Sequence, residues 1–66
     1  MKEVKNKIKI FREQNKITQE QSAQYAEISL SYFQKLEKDL SIPNVYIALK
    51  LARLYNTTVE KLFLIN

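Results

Sequence analysis

The chain contains no glycine and a single proline, and this constrains its fold more than any other feature of the sequence. Glycine and proline are the residues that most often interrupt helices, so long stretches of this chain can remain helical. A left-handed backbone position must be occupied by a residue with a Cβ atom, which costs roughly 1 kcal/mol relative to glycine. No segment alternates polar and apolar residues for long enough to indicate a strand. The sequence therefore predicts an all-α fold with short turns.

The length of 66 residues predicts one domain, residues 1–66, with a small core. Cysteine and histidine are both absent, so disulfides and thiolate or imidazole metal sites cannot stabilise it. Helix packing must do so, and a second subunit would add to it. With one aspartate and no histidine, no catalytic triad or metal cluster can be assembled. We expect no enzyme activity, no cofactor and no small-molecule substrate.

The charge of the chain favours an anionic partner. Eleven basic residues against seven acidic ones give a net charge of +4, which in so small a domain favours nucleic acid over a membrane. The alternative is a source proteome that is simply rich in lysine. The sequence contains no run of about 18 apolar residues, so no membrane span is predicted. The basic start of the chain lacks the apolar stretch of a signal peptide. A cytoplasmic protein is expected.

Capping signals divide the chain into five predicted helices. Val4, Ile8 and Phe11 define one apolar face of the first helix. Thr18 begins a capping box with Gln21 at the start of the second. The other N-cap candidates are Ser29, Asn44 and Thr58. Pro43 marks a loop over 39–43, and Asn56 suits a left-handed helix end. The predicted helices span residues 2–14, 19–26, 30–38, 45–55 and 59–64.

Residues 18–37 are the stretch with the clearest functional pattern. Two helices of about eight residues are joined by a turn of three, a spacing that allows a tight crossing at roughly 90–120°. Ala23 is small enough for the close approach, and the inner face consists of Ala26, Ile28, Phe33 and Leu36. The outer face of the third helix consists of Leu30, Ser31, Gln34 and Lys35, whose side chains suit contact with base edges in a major groove.

This stretch resembles the helix-turn-helix of the phage-repressor and Cro family. The matching residues are the Thr18-Gln19-Glu20 opening, Ala23, Ile28-Ser29, Phe33, Leu36 and Glu37. The resemblance extends over nearly the whole chain: residues 8–13 are similar to the family's first helix, and Pro43, 48–52 and 58–63 to its fourth and fifth. It implies a five-helix, lambda-repressor-like DNA-binding domain and a sequence-specific transcriptional regulator that binds double-stranded DNA.

The resemblance also implies roles for individual residues. Leu30, Ser31, Gln34 and Lys35 fall on base-reading positions, and Gln19 falls where the family contacts phosphate at a helix N-terminus. Three further positions are implied at the phosphate backbone, namely Tyr32, Lys38 and Asn44. Arg12 and Glu37 match a largely buried ion pair between the first and third helices. The alternatives are that Gln34 and Lys35 are only solvated and that Tyr32 only packs at the helix edge.

The chain departs from the family pattern in two places. Glu27 occupies the left-handed turn position where the family usually has glycine, and Ser22 and Ala26 are smaller than the usual leucines, which the larger Phe33 can offset. The segment from Lys38 to Ile42 carries one cation and one anion where the family often grips phosphate. Fewer phosphate contacts lower the affinity and reduce the salt dependence by about 0.9 per contact. The alternative function is a protein-interaction module with weak or lost DNA binding.

The C-terminal residues Leu62, Phe63, Leu64 and Ile65 form an unbroken apolar run. One short helix is not expected to bury all four, and exposed apolar patches on small domains mark interfaces. We therefore expect a homodimer through these residues, with recognition helices about 34 Å apart on a palindromic operator. The alternative is that Leu64 and Ile65 fold back onto Ile10.

Overall fold

The computed structural model describes residues 5–64, and in this range the second to fifth helices begin where the capping signals predict. The elements, in chain order, are β1 (Lys5–Asn6), α1 (Ile8–Gln14), α2 (Gln19–Ala26), α3 (Leu30–Glu37), α4 (Val45–Leu54), α5 (Val59–Leu62) and β2 (Phe63–Leu64). The five-helix, all-α prediction is confirmed, and the loop over 39–43 lies between α3 and α4 as expected.

Side-chain caps explain why α2 to α5 start where they do. The side chains of Thr18, Ser29, Asn44 and Thr58 each accept the N–H of the residue three positions on. Thr18 and Gln21 form the predicted capping box, because the Gln21 side chain also accepts the Thr18 N–H at 2.9 Å. Each cap satisfies a donor that the helix itself leaves unpaired.

The helices α1 to α4 are each followed by a left-handed residue, at Lys16, Glu27, Asp39 and Asn56. The next residue along then donates its N–H to the carbonyl five positions earlier, as Ile17 does to Arg12 and Ile28 to Ala23. These are Schellman-type ends, which satisfy carbonyls in the last helical turn. The predictions at Glu27 and Asn56 are confirmed, whereas Lys16 and Asp39 were not predicted.

The ends of the chain differ from the sequence predictions. The first helix begins at Ile8 and not at Lys2, because Lys5–Asn6 pairs antiparallel with Phe63–Leu64. The Asn6 side chain accepts the Ile8 N–H at 3.0 Å, which favours a helix start at that point. The same pairing ends α5 at Leu62, two residues earlier than predicted. Val4, assigned to the first helical face, lies outside the described residues.

The core contains residues from all five helices. Its fully buried members include Ile8, Phe33, Leu36, Leu51 and Leu62. The predicted inner face of the helix-turn-helix is confirmed, since Ala23, Ala26, Phe33 and Leu36 are buried and Ile28 is partly buried against them. Ala23 and Ala26 let α2 lie against both α3 and α4.

A hydrogen bond between Tyr55 and Ser22 lies inside this core. The Tyr55 hydroxyl donates to Ser22 Oγ at 2.6 Å, and both residues are at most 1% exposed. The tyrosine ring therefore reaches toward the space left by a serine where the family has leucine. Burial raises the pKa of Tyr55 from 10.0 to about 12, although its hydrogen bond with Ser22 acts in the opposite direction.

We expect this tyrosine to make folding sensitive to alkaline pH. Between pH 10 and 12 the unfolded chain loses the Tyr55 proton while the folded chain keeps it. The resulting stabilisation is complete below pH 10 and is lost as the pH rises toward 12, by about 1.36 kcal/mol per unit and about 3 kcal/mol in total. Denaturant unfolding at several pH values should show a steeper decline for the wild type than for Tyr55→Phe. Parallel declines would contradict the expectation.

Candidate nucleic-acid interface

The helices α2 and α3 form the helix-turn-helix that the spacing of residues 18–37 predicts. They are joined by Glu27, Ile28 and Ser29, with the left-handed backbone at Glu27 reversing the chain. Ile28 donates its N–H to the Ala23 carbonyl at 3.0 Å, and the Ser29 side chain accepts the Tyr32 N–H to start α3. The turn is thus held by hydrogen bonds at both sides, and the crossing is held by the buried alanines.

The four predicted base-reading residues share one face of α3, because their spacing places them on adjacent turns. Ser31 and Lys35 are exposed, whereas Leu30 and Gln34 are partly buried. The opposite face, with Phe33 and Leu36, is fully buried. A helix that is anchored on one side and polar on the other can lie in a DNA major groove.

Hydrogen bonds link this face to the interior through Glu37. Arg12 Nε donates to Glu37 Oε2 at 2.8 Å, and Gln19 Nε2 donates to Glu37 Oε1 at 2.7 Å. The Gln19 carbonyl oxygen in turn accepts from Gln34 Nε2 at 3.1 Å. The Arg12 and Glu37 side chains are only 12% and 7% exposed, so the largely buried ion pair implied by the family resemblance is confirmed.

This network orients the side chain of Gln34. One of its N–H groups is held by Gln19, which leaves the carbonyl oxygen and the second N–H for a partner. Glutamine in this state can pair bidentately with the edge of adenine, through an acceptor and a donor. An oriented side chain also loses less rotamer entropy on binding than a mobile one.

The predicted phosphate contacts lie at several places around α3. Gln19 is the first residue of α2, and Asn44 is the exposed cap of α4. Lys38 is exposed just after α3, whereas Tyr32 is partly buried and packs against the core. Tyr32 can therefore present only part of its surface to a ligand.

An open cleft of about 740 Å³ lies beside the start of α2, between the end of α1 and the end of α3. Lys9, Lys16 and Lys38 line it together with Glu13 and Glu20, so its charge is moderately positive once the Arg12–Glu37 pair is set aside. Neither Lys9 nor Lys16 was among the residues predicted to contact phosphate. No local pattern marks these lysines, since only the fold brings them together.

The apolar run that is predicted to form a dimer interface begins inside the core. Leu62 is 0% exposed and Phe63 6% exposed, so both are buried in the chain's own core. The β1–β2 pairing draws this segment inward, which the sequence reasoning did not foresee. The side chain of Leu64 and all of Ile65 lie outside the described residues. Ile10, the alternative partner within the chain, is 51% exposed.

A different apolar surface is exposed next to this segment. Ile42, Val45 and Leu49 are 72%, 74% and 55% exposed. Together with Pro43, Ala48, Val59 and Phe63 they line a groove of about 350 Å³ without a charged residue. We call this surface the apolar groove. Its members come from the 39–43 loop, α4, the start of α5 and β2, so no single sequence segment reveals it.

The fold and the exposed α3 face together define a DNA-binding helix-turn-helix protein. A family model described as helix-turn-helix matches residues 8–62, which is most of the chain. The chain belongs to this family of Cro/C1-type helix-turn-helix proteins, which are DNA-binding regulators and not enzymes. No curated protein matches the sequence. In residues 5–64 no helix is long and apolar enough to cross a membrane.

Proposed function

We propose that the whole chain acts as one helix-turn-helix domain that binds a specific DNA sequence as a homodimer and regulates transcription from the cytoplasm. The observation that carries the proposal is the outer face of α3, where Gln34 is oriented through Gln19 and Glu37. In this arrangement α3 enters the major groove, and each subunit of the dimer binds one half of a palindromic operator.

Base reading is assigned to the four residues on the outer face of α3. Gln34 pairs with an adenine, and Lys35 donates to guanine or to a phosphate. Ser31 is exposed and can donate or accept a hydrogen bond, whereas Leu30 offers only apolar contact with a thymine methyl group. Three polar readers and one apolar reader suit a short half-site that contains both A·T and G·C pairs.

Contacts with the DNA phosphate backbone are assigned to residues on and around α3. Gln19, Lys38 and Asn44 flank the helix, and Tyr32 lies on it. The lysines of the cleft beside α2 extend this surface to Lys9 and Lys16. In residues 39–43 there is no cation, so the backbone contacts lie mainly on the α1–α2 side of α3. We therefore expect moderate salt dependence for a single subunit.

The proposal is tested on duplexes selected from a randomised library by the wild-type protein. Gln34→Ala and Lys35→Ala should each weaken binding to the selected duplex by about 1–3 kcal/mol, because each removes a base contact. Fluorescence anisotropy at two salt concentrations separates such losses from phosphate contacts, which change the salt slope. Lys61→Ala is the matched control, since Lys61 is an exposed lysine on α5.

Two results would count against this assignment. If both α3 variants bind the selected duplex as tightly as Lys61→Ala, α3 is not the reading helix. If the wild-type protein selects no sequence at all, sequence-specific DNA binding is itself excluded.

The dimer is proposed to form through the apolar groove, which is lined in part by Phe63 but not by the fully buried Leu62. The groove carries no charged side chain, so two copies can meet face to face across a two-fold axis without placing like charges together. A chain of 66 residues also gains from the additional apolar burial.

A second candidate function is a protein-interaction module. The loop after α3 favours it, because residues 39–43 hold no cation and Leu40 and Ile42 are 71% and 72% exposed where the family often places phosphate-binding residues. In that case the wild-type protein would bind all duplexes weakly and equally, and binding would vanish at high salt.

A further inference from the structure

The side chain of Asn6 connects three parts of the molecule. Its oxygen accepts the Ile8 N–H at the start of α1. Its Nδ2 donates to the Leu36 carbonyl at 2.8 Å and to Asp39 Oδ1 at 2.6 Å. These two acceptors lie 30 and 33 positions along the chain, in the last turn of α3 and in the turn that follows it.

The turn after α3 is held together around the same atoms. The Leu36 carbonyl also accepts the Asp39 N–H at 3.1 Å, and Asp39 has a left-handed backbone with φ of 63°. An aspartate in this conformation lacks the conformational freedom of glycine and is less favourable there. The bond from Asn6 to its carboxylate therefore stabilises the turn that ends the reading helix.

The backbone around Asn6 is fixed on its other side. Asn6 pairs with Phe63 in the β1–β2 ladder, and the Lys7 N–H donates to the Leu62 carbonyl at 2.8 Å. Leu62 and Phe63 are buried in the core. Asn6 is thus attached to the core and reaches from there to the end of α3.

We infer that Asn6 is a positioning residue for DNA recognition, which sets the angle of the last turn of α3. The start of α3 is held by the Ser29 cap, and its inner face by buried Phe33 and Leu36. Its C-terminal turn is held by the Arg12–Glu37 pair on one side and by the bonds of Asn6 to Leu36 and Asp39 on the other. Lys35 lies in this turn, and Lys38 follows it. Side chains that contact base edges must be held within about 0.5 Å and 10–20° of the productive geometry.

This inference rests on the proposed function, and the chain offers a matched control for testing it. The side chain of Asn15 also bridges two elements, donating to the carbonyls of Phe11 at 2.7 Å and Tyr55 at 3.1 Å. Those acceptors lie in α1 and at the end of α4, and not in α3. Asn6→Ala and Asn15→Ala each delete two donated bonds, but only the first touches the reading helix.

The first measurement is amide hydrogen exchange on the free protein. Asn6→Ala should accelerate exchange of the Lys38, Asp39 and Leu40 amides beyond the change in global stability, because their hydrogen bonds form the turn that Asn6 holds. Asn15→Ala should not accelerate these three amides selectively. This comparison does not depend on DNA.

The second measurement is the ratio of affinities for the selected duplex and for a scrambled duplex of equal length. We expect Asn6→Ala to lower this ratio about tenfold, because part of the energy of one base contact is lost. Asn15→Ala should leave the ratio unchanged. Asn6→Asp keeps the acceptor for Ile8 but removes both donated bonds, and should lower the ratio as well. Adding Asp39→Asn to Asn6→Asp restores a donor–acceptor pair between the two side chains and should partly recover the ratio.

The outcomes separate the role of Asn6 from the proposed function. If the wild type discriminates between the duplexes and Asn6→Ala retains the full ratio, Asn6 contributes only to stability and the inference is overturned. The same conclusion follows if Asn15→Ala lowers the ratio equally. If the wild type itself does not discriminate, the proposed function fails and this role fails with it.

Discussion

Replacing Glu37 with alanine should lower the free energy of unfolding by about 3–5 kcal/mol, the effect of removing one partner from a buried ion pair. The Arg12 side chain is only 12% exposed, so its charge would lose its partner without gaining full hydration. Gln19 would lose its acceptor at the same time, because its Nε2 donates to Glu37. For a domain of this size such a loss is a large part of the total stability.

Chemical denaturation of the wild type and Glu37→Ala measures this effect. Glu13→Ala is the control, because Glu13 is an exposed glutamate for which the described residues show no ion pair; its effect should stay within about 0.5 kcal/mol. Combining Glu37→Leu with Arg12→Met removes both charges, and the double variant should be more stable than Glu37→Ala. A loss below about 1 kcal/mol for Glu37→Ala would contradict the buried-pair argument.

Loss of Glu37 should also affect DNA binding at temperatures where the variant remains folded. The Gln19 side chain would be free to rotate, so its bond would no longer orient the Gln34 side chain. Affinity for the selected duplex should fall while non-specific binding is retained, because removing Glu37 takes away no positive charge.

Features encoded by neighbouring residues could be predicted from the sequence. The caps at Thr18, Ser29, Asn44 and Thr58 each depend on a side chain and an N–H three residues apart. The helix-turn-helix follows from the same caps together with the apolar spacing of α2 and α3. The Arg12–Glu37 pair was inferred only through the family resemblance, since nothing local connects two residues 25 positions apart.

Features that depend on distant segments were not predicted. The strands β1 and β2 are two residues each, too short to produce an alternating pattern, and they pair across nearly the whole chain. As a result the start of α1 and the end of α5 differed from expectation. The bond of Tyr55 to Ser22 was missed for the same reason: a small residue on α2 does not show which distant side chain will fill the space.

The proposed dimer surface illustrates the same difference. The sequence suggests the apolar run over 62–65, but its first two members, Leu62 and Phe63, are buried in the chain's own core. The apolar groove is assembled from separated residues, of which Ile42 and Val45 are more than 70% exposed. An interface is indicated by apolar side chains that are exposed next to one another on the surface, and not by apolar residues that are merely consecutive in the sequence.

Replacing Leu49 with lysine should convert the proposed dimer into monomers, because it places a charge in each copy of the uncharged groove at the interface. Leu49 lies within α4 and is 55% exposed, and lysine is a good helix former, so folding should be retained. The choice of lysine matters, since an added positive charge attracts DNA. A fall in affinity therefore cannot be attributed to repulsion of phosphate.

Loss of the dimer should weaken binding to a palindromic duplex by about 10²–10⁴-fold, the advantage that a second linked site provides. Binding to an isolated half-site should be unchanged or slightly tighter. Analytical ultracentrifugation gives the mass, and anisotropy with the two duplexes gives the affinities. Ile10→Lys is the matched control, because Ile10 is 51% exposed on α1 and lies outside the apolar groove. If Leu49→Lys remains dimeric and binds the palindrome as tightly as Ile10→Lys, the two subunits meet through another surface; if the wild type is monomeric on DNA, each α3 reads its site alone.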